Sequence, residues 1–410
     1  MPERRAPAAN RACSSRMSTQ AAAGNIAAFP ASRQKPRAGL VLTGGGARAA
    51  YQVGVVKAVR DILGNPVKNP FPIVCGTSAG AINAVTLAVY ADNFTRAVGN
   101  LLEVWENMHC DHVYRTDLAH ILRSGARWLS AVMLLSRHNP ISLLDNTPLR
   151  EMLDQSLPFA SIQDHIDSGA LYAVSVTASG YTSGQSVSFF QGGSGLEGWE
   201  RNQRIGAAVS MKLDYLLASA SLPFIFPAIK VHREYFGDGS MRQIAPVSPA
   251  LHLGADRVVV VGTGRQSPDT ARARSNIYPS LAQIAGHALN SIFLDSLMVD
   301  IERLERINRT VELIPPEVLA ANGIPLRPIK VLFISPSQPI ERIAARFLHE
   351  LPRSVRFILR PTGAISRSGS NLASYLLFEE PFCRALIDLG YQDTASRENE
   401  VRAFFDGVPV

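Results

Sequence analysis

The chain opens its ordered pattern with a short, uninterrupted apolar run at residues 39–43 that ends against three glycines. A run of that kind, with no polar alternation, reads as a parallel strand buried on both faces. Behind it Val53, Val56 and Val59 recur at helical spacing, predicting a helix over residues 49–62. A second apolar run at 71–75 leads into another helical stretch at 81–91. Strand, helix, strand, helix in this order predicts a parallel sheet covered by helices.

Further strands are expected at residues 171–177, 186–190, 229–236, 257–261 and 329–334. Between 279 and 311, Leu297, Ile301, Leu304 and Ile307 form a stripe among Glu302, Arg303, Glu305 and Arg306. That predicts one long helix packed on the body, since the heptads are not sustained as a coiled coil requires. The late strand at 329–334 is expected to join the same sheet. Residues 37–265 then form the main α/β body, and 266–410 a mostly helical extension packed on it.

Gly76-Thr77-Ser78-Ala79-Gly80 falls at the junction of the second strand and its helix. A serine lifted out of a strand by a tight turn, with a helix starting directly behind it, is a nucleophile elbow. Gly76 and Gly80 suit a turn with no room for side chains. The plainer reading of Ser78 is a helix N-cap, a common use of serine before an apolar helix. Two other motifs weigh against it. Gly44-Gly45-Gly46-Ala47-Arg48 follows the first strand and can aim consecutive N–H groups at one anion. In acyl transfer that anion is the tetrahedral oxyanion, and each donor contributes about 3–4 kcal/mol. Arg48 either adds charge there or braces the loop. Phe236-Gly237-Asp238-Gly239-Ser240 follows a strand-like run, and Asp238 is either a turn aspartate or the base for Ser78.

Two rival chemistries are open. Gly44-x-Gly46-x-x-Ala49 also fits a dinucleotide fingerprint, but no carboxylate ends the second strand, where a ribose contact belongs. A Ser-His-Asp esterase would need His232 or His252, and neither has a motif around it. The apolar, proline-bounded segment at 218–227 is suited to line an acyl pocket.

Together these residues resemble the patatin-like phospholipase family, in its bacterial form. The likeness runs over residues 37–265 in the order glycine-rich loop, Gly-x-Ser-x-Gly elbow, Ala-Ser-x-x-x-Pro-type segment and Asp-Gly turn. It implies a three-layer α/β/α sandwich and a Ser78–Asp238 dyad that hydrolyses fatty-acyl esters of phospholipids or related lipids. Gly44, Gly45, Gly46, Ala47, Arg48 and Ala79 would form the oxyanion and substrate-binding wall, and Gly76, Gly80 and Gly239 are its motif glycines. Two positions depart from the family pattern: Ala49 stands where a glycine commonly follows the loop arginine, and the acidic turn reads Asp-Gly-Ser. A lipid- or acyl-binding scaffold with vestigial activity is the alternative of a different class.

Composition narrows the partners. The net charge of +7 is concentrated in residues 1–40, which carry Arg4, Arg5, Arg11, Arg16, Arg33, Lys35 and Arg37 against Glu3. Basicity thus belongs to a tail, expected to be disordered over 1–36, and no nucleic-acid-binding face is expected. Cys13, Cys75, Cys110 and Cys383 lack metal-site or disulfide spacing. Neither a cofactor nor a metal is expected, and a cytoplasmic protein, in peripheral contact with membrane, fits best. No stretch reads as a bilayer span. Residues 128–135, from Trp128 to Leu135 and flanked by Arg123, Arg127 and Arg137, read either as a buried helix or as an interfacial lid. Residues 340–360, with five arginines among apolar positions, pose the same choice.

Overall fold

The structure is a computed structural model, and it describes residues 36–119, 123, 126, 142–264, 278–324, 326–366 and 369–406. The expected tail and the Trp128–Leu135 stretch lie outside the described residues.

Ten strands form one sheet: β1 (Ala38–Leu42), β2 (Ile73–Thr77), β3 (Ala173–Gly180), β4 (Ser186–Gly192), β5 (Trp199–Arg201), β6 (Arg204–Ala208), β7 (Ile229–Val231), β8 (Glu234–Asp238), β9 (Arg257–Val261) and β10 (Lys330–Ile334). Their order is β10-β9-β1-β2-β3-β4-β6-β5, and the run from β10 to β3 is parallel throughout. Leu40, Leu42, Val74, Val259 and Val261 face one apolar cluster, whereas Val41, Ile73, Cys75, Val258 and Val260 face another. Strands buried on both faces need apolar residues at every position, so the uninterrupted runs follow directly from the three-layer arrangement.

On the first face lie α1 (Ala50–Ile62), α2 (Ala79–Val89), α3 (Phe94–Glu106) and the helix Glu380–Ala395. The other face is covered by Ser248–His252 and Ser296–Glu312, the latter through the expected stripe of Leu297, Ile301 and Leu304. The fold is the expected α/β/α sandwich with a mainly parallel sheet and a helical C-terminal region.

Three expectations need correction. Residues 229–236 are two strands of a hairpin, because His232 takes a left-handed φ of 53° and reverses the chain. The long helix is broken by a π-turn at Ser291–Asp295, so it comprises Leu281–Asn290 and Ser296–Glu312. Taken as one run, Leu281–Glu312 does reach the length and apolar character of a membrane span, which sequence reading missed. Its buried stripe against β9 fits a core helix equally well.

The C-terminal helix Glu380–Ala395 meets α1 so closely that neither can carry a side chain at the crossing. A Cβ on Gly54 would stand 1.9 Å from the Ile387 carbonyl oxygen, and one on Gly390 2.1 Å from that of Tyr51. Gly54→Ala should force the helices apart and lower stability by about 1–3 kcal/mol, read as a lower denaturant midpoint with unchanged slope.

Candidate active site

β3 is longer than β2, and that difference builds the site. β2 pairs with β3 up to Thr77–Thr177, where the chain leaves the sheet. The next positions on β3, Ala178 to Gly180, pair instead with β8, and Ala178 is opposite Asp238. Ser78 and Asp238 therefore occupy adjoining places at the end of the same strand. Ser78 leaves β2 at φ 55° and ψ −132°, a strained backbone for a residue with a Cβ, and α2 begins at the next residue. The turn closes only with glycines: a Cβ on Gly76 would meet the Gly80 carbonyl oxygen at 2.4 Å, and one on Gly80 would meet that of Leu42 at 2.4 Å. Gly239 is under the same constraint, 2.0 Å from the Thr177 carbonyl oxygen.

Sequence reading gave the 218–227 segment one role, and it has two. Ala220, Leu222 and Phe226 line the cavity next to Ser78, as expected. Ser219 and Ser221 hold Ser78 and Asp238 in place. The Ser78 amide donates to Ser219 Oγ at 2.8 Å, and that hydroxyl donates to the Thr177 carbonyl at 2.6 Å. The Asp238 amide donates to the Ser221 carbonyl at 2.9 Å. Gln243 adds a third tie, accepting from Thr77 Oγ1 at 2.8 Å. These partners are 17 to 166 residues apart in sequence, beyond the reach of any local pattern.

The glycine loop lies across the mouth of the same cavity, where Gly46, Ser78 and Ala79 share the wall. Two of the residues named for it turn elsewhere. The Ala47 amide donates to the Tyr375 carbonyl at 3.1 Å, and the Arg48 amide to that of Gly45 at 3.1 Å. The Arg48 side chain is buried, donates to Ser374 Oγ at 2.8 Å, Asn290 Oδ1 at 3.2 Å and Asn371, and lies over the Tyr375 ring. It braces the loop from behind and does not face substrate. Among the described hydrogen bonds the amides of Gly45, Gly46 and Ala79 have no partner. Gly44 is walled by Ser240 and Phe293, and its carbonyl accepts from Thr263 Oγ1 at 2.7 Å.

Asp238 is fully buried, and its Oδ1 accepts from the Ser240 amide at 2.9 Å. Among the described residues Oδ2 and the Ser240 hydroxyl have no hydrogen-bond partner. Burial pushes the carboxyl up to about 6, against the opposing pull of the Ser78 hydroxyl and of Ser240. The Ser78 hydroxyl thus lies within electrostatic reach of a carboxylate that still has a free oxygen. Contacts of this kind commonly close only when substrate is bound. Of the two histidines considered, His232 points its ring at the Tyr215 hydroxyl, 3.3 Å away. His252 stacks on Trp199 at 4.7 Å, with burial and then Arg201 and Arg204 lowering it to about 4.

The cavity beside Ser78 has a volume of about 570 Å³ and a mainly apolar wall. Ser78, Ile82, Thr86 and Tyr90 follow one another along one face of α2 at four-residue spacing and form its floor. Twelve residues of helical rise make that floor about 18 Å long. Leu101 and Trp105 of α3 and Leu149, Met152 and Leu153 of the helix Thr147–Ser156 enclose it.

A strand-turn-helix serine, a buried aspartate beside it and a glycine loop thus stand together at the mouth of an apolar cavity. The chain belongs to the patatin-like phospholipase family, whose model matches residues 40–251. It is 28% identical over 213 residues to a cGAMP-activated phospholipase of Pseudomonas aeruginosa, covering 52% of this chain and 55% of that protein. Over 50 residues it is 46% identical to a cUMP-AMP-activated phospholipase of Escherichia coli, 12% of this chain and 16% of that one. The chain thus spans about half, or less, of the curated relatives it matches. Human GIVD cytosolic phospholipase A2, solved with methyl gamma-linolenyl fluorophosphonate and terbium chloride, overlaps 91% of this chain and 59% of its own at 12% identity and a TM-score of 0.41.

The buried carboxyl makes stability depend on pH with a definite sign. An unfolded aspartate loses its proton near 3.8, whereas folded Asp238 keeps its proton until about 6. The folded state binds more protons in that interval, so this group's contribution to stability falls as pH rises through it. Asp238→Asn removes the buried charge and should raise stability above pH 6 by about 1–3 kcal/mol. Below pH 4 that gain should vanish, as followed by thermal unfolding across pH 3–8.

Proposed function

We propose that the protein is a serine lipid acyl hydrolase that cleaves fatty-acyl esters through a Ser78–Asp238 dyad. One observation carries the reading: the register of β8 on β3 seats a buried, half-unpaired carboxylate beside a strained serine at the head of an apolar cavity. An ester would enter with its acyl chain along α2 and its carbonyl carbon at Ser78 Oγ. As Oγ attacks, its proton passes to Asp238, whose raised pKa leaves it ionised at neutral pH and still basic enough to accept. The negative charge moves to the carbonyl oxygen, where the amides of Gly45, Gly46 and Ala79 are free to donate, with the N-terminus of α2 adding its dipole.

Collapse of the tetrahedral adduct breaks the ester C–O bond, and the alcohol leaves with the proton from Asp238. Water then repeats the sequence on the acyl-enzyme: its proton goes to Asp238, the Ser78–acyl bond breaks, and Ser78 recovers a proton as the fatty acid departs. No histidine is required, which agrees with where His232 and His252 lie.

Labelling with a fluorophosphonate probe tests the dyad. Wild type should label, Ser78→Ala should not, and Asp238→Asn should label at least a hundredfold more slowly, in line with loss of a general base. The assay is run with and without cGAMP, because the relatives' names carry cyclic-dinucleotide activation. A folded wild type that stays unlabelled in both would favour a lipid-binding scaffold.

The cavity floor supplies a second test. Ile82→Trp should obstruct the channel one helical turn from Ser78, so hydrolysis of long-chain p-nitrophenyl esters should fall tenfold or more relative to butyrate. Equal loss on both chain lengths would mean that the substitution damages the fold rather than the acyl site.

A further inference from the structure

The acyl channel changes character along its length. Beside Ser78 its wall is apolar and buried, with Leu222, Phe226, Leu376 and Phe378 in the lining. Farther along, the Trp105 indole donates to Asn83 Oδ1 at 2.8 Å, which fixes the α3 wall against α2. α2 ends at Val89 and α3 begins at Phe94, a link short enough that the two helices run antiparallel. Asn100, which precedes Trp105 on α3, therefore lies farther from Ser78 than Trp105 does. At that far end Tyr90 donates its hydroxyl to the Ser156 carbonyl at 3.1 Å, which ties the floor to the helix Thr147–Ser156.

The lining at this end is polar. Tyr90, Asn100, Glu103, Gln155 and Ser156 all border the same cavity as Ser78. Glu103, Gln155 and Ser156 are exposed, and Tyr90 and Asn100 are half-buried. A blind pocket for a hydrocarbon terminus would be closed by apolar side chains, since polar groups buried against a methyl end lose their water without gaining a partner. Exposed polar groups keep theirs. The channel therefore reaches solvent at this rim, about 18 Å along α2 from Ser78. A bilayer core about 30 Å thick holds two acyl chains end to end, so one chain takes about 15 Å. Such a chain reaches almost to the rim, and whatever its last carbon carries would lie outside.

We propose that the acyl channel is open at both ends, and that Asn100, Glu103, Gln155 and Ser156 form an exit that passes the far end of the chain into water. The inference rests on the hydrolase reading for the channel's occupant, but on residues remote from Ser78 and Asp238 for its geometry. It has a definite consequence for substrate class. Acyl chains longer than the floor, and chains carrying a bulky polar group on their last carbon, are accepted as readily as a plain chain that fits inside. A blind pocket would reject both.

The test compares the full chain on p-nitrophenyl butyrate, on p-nitrophenyl palmitate and on the palmitate ester with a dansyl group on its last carbon. Wild type should hydrolyse the two long esters with kcat/KM values within about threefold of each other. Hydrolysis of plain palmitate with the dansyl ester at least tenfold slower overturns the open end. Gln155→Trp on one wall and Asn100→Trp on the other should each lower the ratio of dansyl to plain ester about tenfold. A ratio unchanged in both variants, with butyrate still turned over, removes these residues from the exit and overturns the assignment. Equal loss on all three esters in one variant marks damage to the fold, and wild type and the other variant then decide. If wild type turns over no ester, butyrate included, the hydrolase reading has failed. The channel is then judged by binding of dansyl-tagged palmitate, displaced by plain palmitate, to wild type. Acrylamide quenching of the bound dansyl group close to that in water supports the open end. A shielded dansyl group, or no binding, overturns it.

Discussion

Everything at the site depends on one mismatch in strand length. β3 continues for three residues after β2 has turned away, and its exposed hydrogen-bonding edge is taken by β8 running the other way. A strand ladder is a stiff coordinate system: slipping β8 by one residue would turn the Asp238 side chain to the opposite face. Ser78 is fixed to the same ladder by Ser219, whose hydroxyl links the Ser78 amide to Thr177. Ser78 and Asp238 are thus referred to a common strand rather than to two independent loops. That suits chemistry in which a proton must cross a short, constant gap.

The same precision costs stability. Ser78 holds a left-handed φ, and Asp238 is buried with one oxygen and the adjoining Ser240 hydroxyl unpaired. Both are unfavourable in isolation, and a surrounding of close backbone contacts is what holds such features in place. Part of that surrounding comes from far along the chain. The Tyr375 carbonyl takes the Ala47 amide, while Asn290, Asn371 and Ser374 take the Arg48 side chain. The π-turn at Ser291–Asp295 belongs to this bracing, since it seats Phe293 against both Tyr375 and Gly44. The glycine loop is therefore shaped by the C-terminal helical region as much as by β1 and α1.

What could be read from sequence follows from these constraints. The doubly buried parallel strands were legible because burial on both faces leaves a continuous apolar run. The elbow was legible because Gly76 and Gly80 answer to contacts within a few residues or to the next strand end. The hairpin at 229–238 was not, because its turn is His232-Arg233, without the glycine or asparagine that usually marks a tight reversal. β5 and β6 were missed because they are short, three and five residues, although their turn at Asn202-Gln203 holds an asparagine. Arg48 was open to two readings, because a cation beside a glycine nest can serve an anion or brace the loop. Its partners lie 240 to 330 residues away, and only the folded chain shows that they take the charge away from the site.

The Asp-Gly-Ser turn shows how a departure from a family pattern is absorbed. Where glycine or alanine is the common residue, Ser240 places a hydroxyl in a wall already crowded by Gly44 and Phe293. A Cβ on Gly44 would be 2.5 Å from both Ser240 Oγ and the Phe293 ring, so position 44 has no room for a side chain. Among the described residues the added hydroxyl has no hydrogen-bond partner, and the pull against burial at Asp238 comes first from the Ser78 hydroxyl and then from the Ser240 amide. Those two contacts oppose the pull of burial. A buried aspartate with too high a pKa would hold its proton at neutral pH, and one with too low a pKa would be too weak a base. The Ser240 contact to Asp238 Oδ1 is made by the backbone amide, so the substitution leaves that tie in place.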